Sequence, residues 1–163
     1  MRCKDKDLYY FFFYLADSFI NKHRFKQSVI KMENEEISSF RPLILVAEDD
    51  DSNFKLIQAI IGRRCDILWA HNGQEMVELY QAHRETADAI LMDVKMPVMN
   101  GFDATALIRD AGATIPIIMQ TAYAFSSDRE RAIGAGASEV LVKPITVSIL
   151  RTCLSKYLPG IVW

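Results

Sequence analysis

The sequence predicts an α/β fold in which a doubly wound parallel sheet carries helices on both faces. Three observations predict it. Five short apolar runs recur between Arg41 and Leu158, stretches with the spacing of amphipathic helices separate them, and turn residues punctuate the joins. Strands that alternate with helices are joined by right-handed crossovers, and these place helices over both faces of a parallel sheet.

The first run is LILVA, Leu43 to Ala47, a buried-strand pattern followed at once by Glu48, Asp49, Asp50 and Asp51. Leu56, Ile57, Ile60 and Ile61 then recur on one helical face, with Asp50 or Asp51 suited to cap its start and Gly62 to end it. CDILWA, Cys65 to Ala70, is the second strand. Asn72 and Glu75 have capping-box spacing ahead of Met76, Val77, Leu79 and Tyr80. The third strand is Asp88 to Met92, and Phe102, Ala106, Leu107 and Ile108 mark a third helix closed near Gly112. IPIIMQ, Ile115 to Gln120, is the fourth strand, with Pro116 tolerable near its start. Ser127 to Glu130 has the spacing of another capping box, opening a helix that runs into Gly134 and Gly136. EVLV, Glu139 to Val142, is the fifth strand, stopped by Lys143 and Pro144, and Val147 to Leu158 carries the last helical spacing.

At 163 residues the chain suits one domain with a core of its own. Half of it is hydrophobic and 25% charged, the balance of an ordinary soluble globular protein. Its net charge of -2 conceals an asymmetry: residues 1–31 hold 7 Lys+Arg against 3 Asp+Glu, and the remainder 12 against 18. An acidic body gives no reason to expect direct nucleic-acid binding, which relies on clustered Lys and Arg. Cys3, Cys65 and Cys153 are widely spaced and lack a CxxC pair, and His23, His71 and His83 are isolated, so zinc and thiol redox chemistry are not expected.

Residues 1–40 read as an N-terminal extension, aromatic-rich and then a polar linker, ahead of a domain spanning 41–160. The run LYYFFFYLADSFI, Leu8 to Ile20, is 13 residues long and interrupted by Asp17. That is too short to span a bilayer, which takes about 20 apolar residues. An interfacial helix backed by Lys22, Arg24, Lys26 and Lys31 is one reading of residues 8–20. A poorly ordered extension or a helix packed on the body is preferred. Translation starting at Met32 is a further reading of the same stretch.

The chemistry lies at the strand ends. Glu48 and Asp49 follow the first strand, Asp93 the third, Thr121 the fourth and Lys143 the fifth. In an open α/β sheet the carboxyl edge is where ligands bind. Three carboxylates brought together repel, so such a site either raises a carboxylate pKa or holds a cation. An all-oxygen donor set suits a hard ion such as Mg²⁺. Beside it an aspartate can attack phosphorus, an ammonium such as Lys143 can neutralise the equatorial oxygens, and the Thr121 hydroxyl can donate to one of them.

The segments VAEDD (Val46 to Asp50), MDVKMPVMNG (Met92 to Gly101), QTAYA (Gln120 to Ala124) and LVKPI (Leu141 to Ile145) resemble the receiver domain of two-component response regulators, over about Arg41 to Leu158. The resemblance implies a flavodoxin-like sheet of order 2-1-3-4-5 with five helices. It implies that Asp93 accepts a phosphoryl group from a histidine kinase or histidine phosphotransfer protein, with Thr121 as switch hydroxyl and Lys143 as phosphate contact. It further implies that Asp49, Asp93 and the backbone carbonyl of Lys95 hold Mg²⁺, with Glu48 assisting through water, and that Lys143-Pro144 is cis. A cytoplasmic signalling protein that acts by altered protein-protein binding, rather than an enzyme, is expected, with no effector domain after the last helix. Many relatives carry Tyr or Phe three residues before the lysine, and this chain has Val140. Any switch should therefore rest on Thr121 and the loop from Ala122 to Ser126. Lys95 and Tyr123 flank the expected water route, which predicts slow self-dephosphorylation. The alternative, an aspartate-nucleophile phosphohydrolase, calls for an acid two residues beyond the nucleophile, and Lys95 stands there.

Overall fold

A computed structural model describes residues 41–122 and 126–163. The expectations for residues 1–40, including the aromatic run, and for Tyr123 and the rest of the switch loop at residues 123–125 lie outside the described residues. Among those described, no helix is long and apolar enough to cross a membrane.

The elements alternate throughout: β1 Leu43–Ala47, α1 Asp51–Ile61, β2 Asp66–Ala70, α2 Gly73–His83, β3 Ala87–Asp93, α3 Gly101–Asp110, β4 Ile117–Thr121, α4 Ser126–Gly134, β5 Glu139–Val142 and α5 Val147–Tyr157. All pairings are parallel and the sheet order is β2-β1-β3-β4-β5, as the resemblance implies. Side chains alternate across each strand, as the period of two requires. Leu45, Ile90, Met92, Ile117 and Met119 face one core with Met76 and Tyr80 of α2, Phe102 and Ile108 of α3 and Ala132 of α4. Ile44, Val46, Leu91 and Ile118 face the other, with Phe54, Ile57 and Ile61 of α1 and Leu150, Cys153 and Leu154 of α5.

Helix starts follow the capping residues. Asp50 accepts from the Asn53 N–H at 2.8 Å, Asn72 from Glu75, Asn100 from Asp103 and Thr146 from Ile149. The Glu75 carboxylate turns back to accept from the His71 N–H at 2.8 Å, one residue ahead of the usual capping-box partner. After α3, Gly112 takes a φ of 87°, and the Ala113 N–H donates to the Ile108 carbonyl, closing the helix as its glycine predicts.

Several boundaries and faces differ from the sequence reading. In α1 the buried stripe is Phe54, Ile57, Ile60 and Ile61, and Leu56 is 46% exposed, because it lies at the edge of the arc that Ile57 and Ile61 centre. In α3 the buried set includes Phe102, Ala104, Thr105 and Ile108, whereas Leu107 points outward. Pro116 stays outside β4, since it has no N–H for the ladder, although its carbonyl accepts from the Ile90 N–H. β3 reaches one residue further than expected and takes in Asp93 itself. α4 begins at Ser126, so Ser127 is inside the helix rather than at its cap. The Lys143-Pro144 bond is cis.

One glycine fixes how close α3 comes to the end of β3. A Cβ built on Gly101 would stand 2.1 Å from the backbone oxygen of Asp93 and 2.9 Å from Met92 Cγ, and the Gly101 N–H donates to the Val94 carbonyl at 3.0 Å. Backbone, unlike a flexible side chain, has little room to yield. Gly101→Ala is expected to lower the unfolding free energy by about 3 kcal/mol, the upper range for overpacking. Urea denaturation would show it, and an unchanged midpoint would contradict this packing.

Candidate functional site

The register brings the carboxyl ends of the central strands level. Ala47 pairs with Met92, Asp93 with Gln120, and Thr121 with Val142, so residues that follow these strands share one rim. Glu48 is held there by its backbone, whose N–H donates to the Ala70 carbonyl at 3.1 Å, and by the Trp69 indole, which donates to the Glu48 carbonyl at 2.8 Å.

Lys143 joins the site together. Its Nζ lies 2.8 Å from Glu48 Oε2 and 3.1 Å from Asp93 Oδ2, a pairing across a sequence separation of 95 residues in the first case. Glu48 and Asp93 are both buried, at 1% and 6% exposure. Glu48 accepts further hydrogen bonds from Asn53 Nδ2 at 3.1 Å and from the Asp50 N–H. Burial opposes the charged form of Lys143, but its hydrogen bond to Glu48 and the charge of Asp93 outweigh that, and its pKa lies above the ordinary lysine value.

Asp93 is pushed the other way. Burial, reinforced by the Glu48 charge, raises its pKa, while Lys143 and the Lys95 backbone N–H that donates to its carboxylate pull against the rise. Asp49, by contrast, is exposed. Carboxylate oxygens of Glu48, Asp49 and Asp93 lie within 4.8 Å of one another. Around an octahedral Mg²⁺ with ligands at about 2.1 Å, neighbouring oxygens are about 3 Å apart and opposite ones about 4.2 Å. The all-oxygen donor set fits such an ion, and a separation of up to 4.8 Å is wide enough for one carboxylate to take part through water.

Thr121 is buried at the end of β4, 3% exposed, and its carbonyl accepts from the Lys143 N–H at 2.7 Å. That bond ties the residue after β5 to the end of β4. Lys95 is exposed one residue beyond Val94, whose N–H donates to the Gln120 carbonyl. The structure thus brings Glu48, Asp93 and Lys143 into contact, sets Asp49 beside them and puts Thr121 and Lys95 on the same rim.

Two contributors were not read from the sequence. Asn53 resembles any polar residue of a first helical turn, and Trp69 an ordinary strand aromatic; the parallel pairing of Val46 with Trp69 is what brings the indole to Glu48. The Trp69 ring also stacks on Phe54, with centroids 4.0 Å apart, and lies as close to His71. Cys65 and Cys153 are buried free thiols whose pKa burial pushes up to about 11, away from the thiolate form.

The sequence profile of the response regulator receiver domain matches residues 44–155. The chain belongs to that family. It is 35% identical over 127 residues to hybrid signal transduction histidine kinase I of Dictyostelium discoideum, a match covering 71% of this chain and 7% of that protein. It is 39% identical over 109 residues to two-component system protein A of Emericella nidulans, covering 64% of this chain and 16% of the relative. The chain therefore corresponds to a small part of these proteins' length. Among solved structures, the receiver domain of a sensor histidine kinase from Pseudomonas aeruginosa, which has a magnesium ion coordinated in its active-site cleft, is 33% identical with a TM-score of 0.66, covering 74% of this chain and 99% of that one.

The raised pKa of Asp93 has a sign that can be tested. A carboxyl whose folded pKa exceeds its unfolded value stabilises the fold most below that unfolded value and loses the contribution as pH rises through the folded pKa. Near neutral pH the charged Asp93 therefore costs stability. In metal-free buffer Asp93→Asn should raise the urea midpoint at pH 7, with the gain shrinking as pH falls toward 3.8, the ordinary aspartate value. A gain that grows on acidification would contradict the assignment.

Proposed function

We propose that this receiver domain is a phosphorylatable switch in which Asp93 accepts a phosphoryl group from the phosphohistidine of a histidine kinase or histidine phosphotransfer protein. The observation that carries the reading is the contact of the Lys143 ammonium with Asp93 and Glu48 at 3.1 and 2.8 Å. An Asp93 oxygen attacks phosphorus, forming the acyl phosphate O–P bond as the N–P bond to the donor imidazole breaks. The imidazole leaves with its electron pair. Lys143, already beside Asp93, is placed to take up charge on a phosphoryl oxygen, as an in-line transfer requires.

Glu48, Asp49, Asp93 and the backbone carbonyl of Lys95 are the residues that would hold Mg²⁺, with Glu48 acting through water. When bound, the ion neutralises these carboxylates and the phosphoryl oxygens together. Glu48 is too deeply buried and too fully hydrogen-bonded for a ligand of free choice, which favours an indirect part. The exposed Asp49 leaves the site open to solvent on one side.

Thr121 serves as the switch hydroxyl, drawn toward the phosphoryl group and moving the loop that leads into α4. Val140 is buried and aliphatic, so no aromatic side chain rotates at that position, and the change passes through Thr121 and the following loop. The output is altered binding to another protein. Residues 41–160 form the receiver domain after an extension of 1–40, with a cytoplasmic place of action and no direct role for nucleic acid. The hybrid histidine kinase relative supports a kinase or phosphotransfer protein as donor.

Incubation with acetyl phosphate and Mg²⁺ tests this reading. The protein should gain the mass of one phosphoryl group, stable in acid and lost in base, and Asp93→Asn should gain none. Uptake by Asp93→Asn, or uptake undiminished by chelation of the metal, would contradict it. Lys95 is exposed beside Asp93 and screens the acyl phosphate from water. Replacing Lys95 and Tyr123 together with alanine should speed loss of the phosphate about tenfold, equivalent to about 1.4 kcal/mol off the barrier to hydrolysis. Decay at the unaltered rate would remove that role from both residues.

A further inference from the structure

β4 contains a residue at odds with its surroundings. Ile118 packs into the core beneath α1 and α5, and Gln120, two positions on and therefore on the same side of the strand, is 0% exposed. Its Oε1 and Nε2 are both buried, and neither has a hydrogen-bond partner among the described residues. A buried carboxamide with both ends unmet is costly compared with the isoleucine or leucine that such a strand position takes.

Gln120 also lines a cavity of about 70 Å³ between α1 and the turn after β5, together with Asn53, Leu56, Lys143, Pro144 and Ile145. The two observations are independent: one is an unmet donor and acceptor, the other the space beside them. We propose that this cavity is a binding site for a small neutral ligand bearing a carboxamide, recognised by the carboxamide of Gln120.

The chemistry selects the ligand class. An amide presents one face with a donor and an acceptor side by side, which complements the same pair on Gln120 in two parallel hydrogen bonds. The walls disfavour ions. A carboxylate could accept from Gln120 Nε2 but has no donor for Gln120 Oε1, which it would face as a second acceptor, and a cation meets the Lys143 ammonium. Size sets the other limit. A cavity of about 150 Å³ admits benzene, so one of half that volume takes three or four non-hydrogen atoms, the size of acetamide. Leu56, Pro144 and Ile145 offer apolar contact for its methyl end. Lys143 belongs both to this cavity and to the Asp93 site, so a bound amide would lie against the residue that contacts the phosphoacceptor.

The site is tested on the full chain by titrating acetamide and following the Gln120 side-chain NH₂ and the Ile145 and Leu56 methyl signals by NMR. Saturating shifts with a dissociation constant in the millimolar range are expected, as about four non-hydrogen atoms allow. Acetate, of equal size but charged, should produce none of them. In Gln120→Leu the saturating shifts should vanish. Leu56→Trp, made at the half-exposed mouth and away from the core, should abolish them as well, and it serves as the deciding variant if Gln120→Leu does not fold. Shifts that rise linearly without saturation, equal shifts with acetate, or saturation that survives blockage of the mouth would overturn the proposal. So would a Gln120 amide that exchanges magnetisation with ordered water and ignores acetamide. None of these readouts depends on phosphorylation, so failure here leaves the Asp93 reading intact, and the reverse holds too.

Discussion

The site depends on one ammonium. Without Lys143, Glu48 and Asp93 would be two buried carboxylates facing each other beside a third, Asp49, and the low local dielectric would make that repulsion severe. Lys143 bridges the first two at hydrogen-bonding distance and so permits an acidic residue just after β1 and one at the end of β3 to meet at the same place. The lysine itself is positioned by backbone: its N–H donates to the Thr121 carbonyl at 2.7 Å. Sheet register, the joint between β4 and β5, and the charge balance of the rim are thus coupled through a single residue.

A second constraint is steric. The turn from β3 into α3 passes so near Asp93 that position 101 admits only glycine, and Val98, within the same turn, holds a positive φ of 66° while 86% exposed. A β-branched residue rarely adopts that conformation, and strain of this kind costs on the order of 1–3 kcal/mol. The turn brings the backbone around Asp93, where Lys95 gives its N–H to the carboxylate. Close packing, rather than a flexible loop, sets the surroundings of Asp93.

Much of this was legible in the sequence, and the reasons are physical. Alternating strand and helix patterns specify a parallel sheet, and apolar runs that stop at charged residues mark the rim, so Glu48, Asp49, Asp93, Thr121 and Lys143 could be named together. The capping signals at Asp50 and Asn72 were local and therefore readable. What escaped was set by tertiary contact. Leu56 and Leu107 match a helical apolar spacing yet point outward, because the sheet accepts only the arc centred on Ile57 in one helix and on Ile108 in the other. Asn53, Trp69 and the buried Gln120 carry no local signal at all, since their significance lies in what the sheet order brings beside them.

The central claim is that the carboxylate of Asp93, and no neighbouring one, receives the phosphoryl group. Four other acidic residues follow β1 or lie on the same rim, among them the exposed Asp49, Asp50 and Asp51, so chemical location is the direct test. Borohydride reduces an acyl phosphate on aspartate to homoserine and leaves free carboxylates unchanged. Treatment of the phosphorylated protein, followed by peptide sequencing by mass spectrometry, should find homoserine at position 93 alone. Homoserine at 49, 50 or 51, or none at 93, would contradict the account.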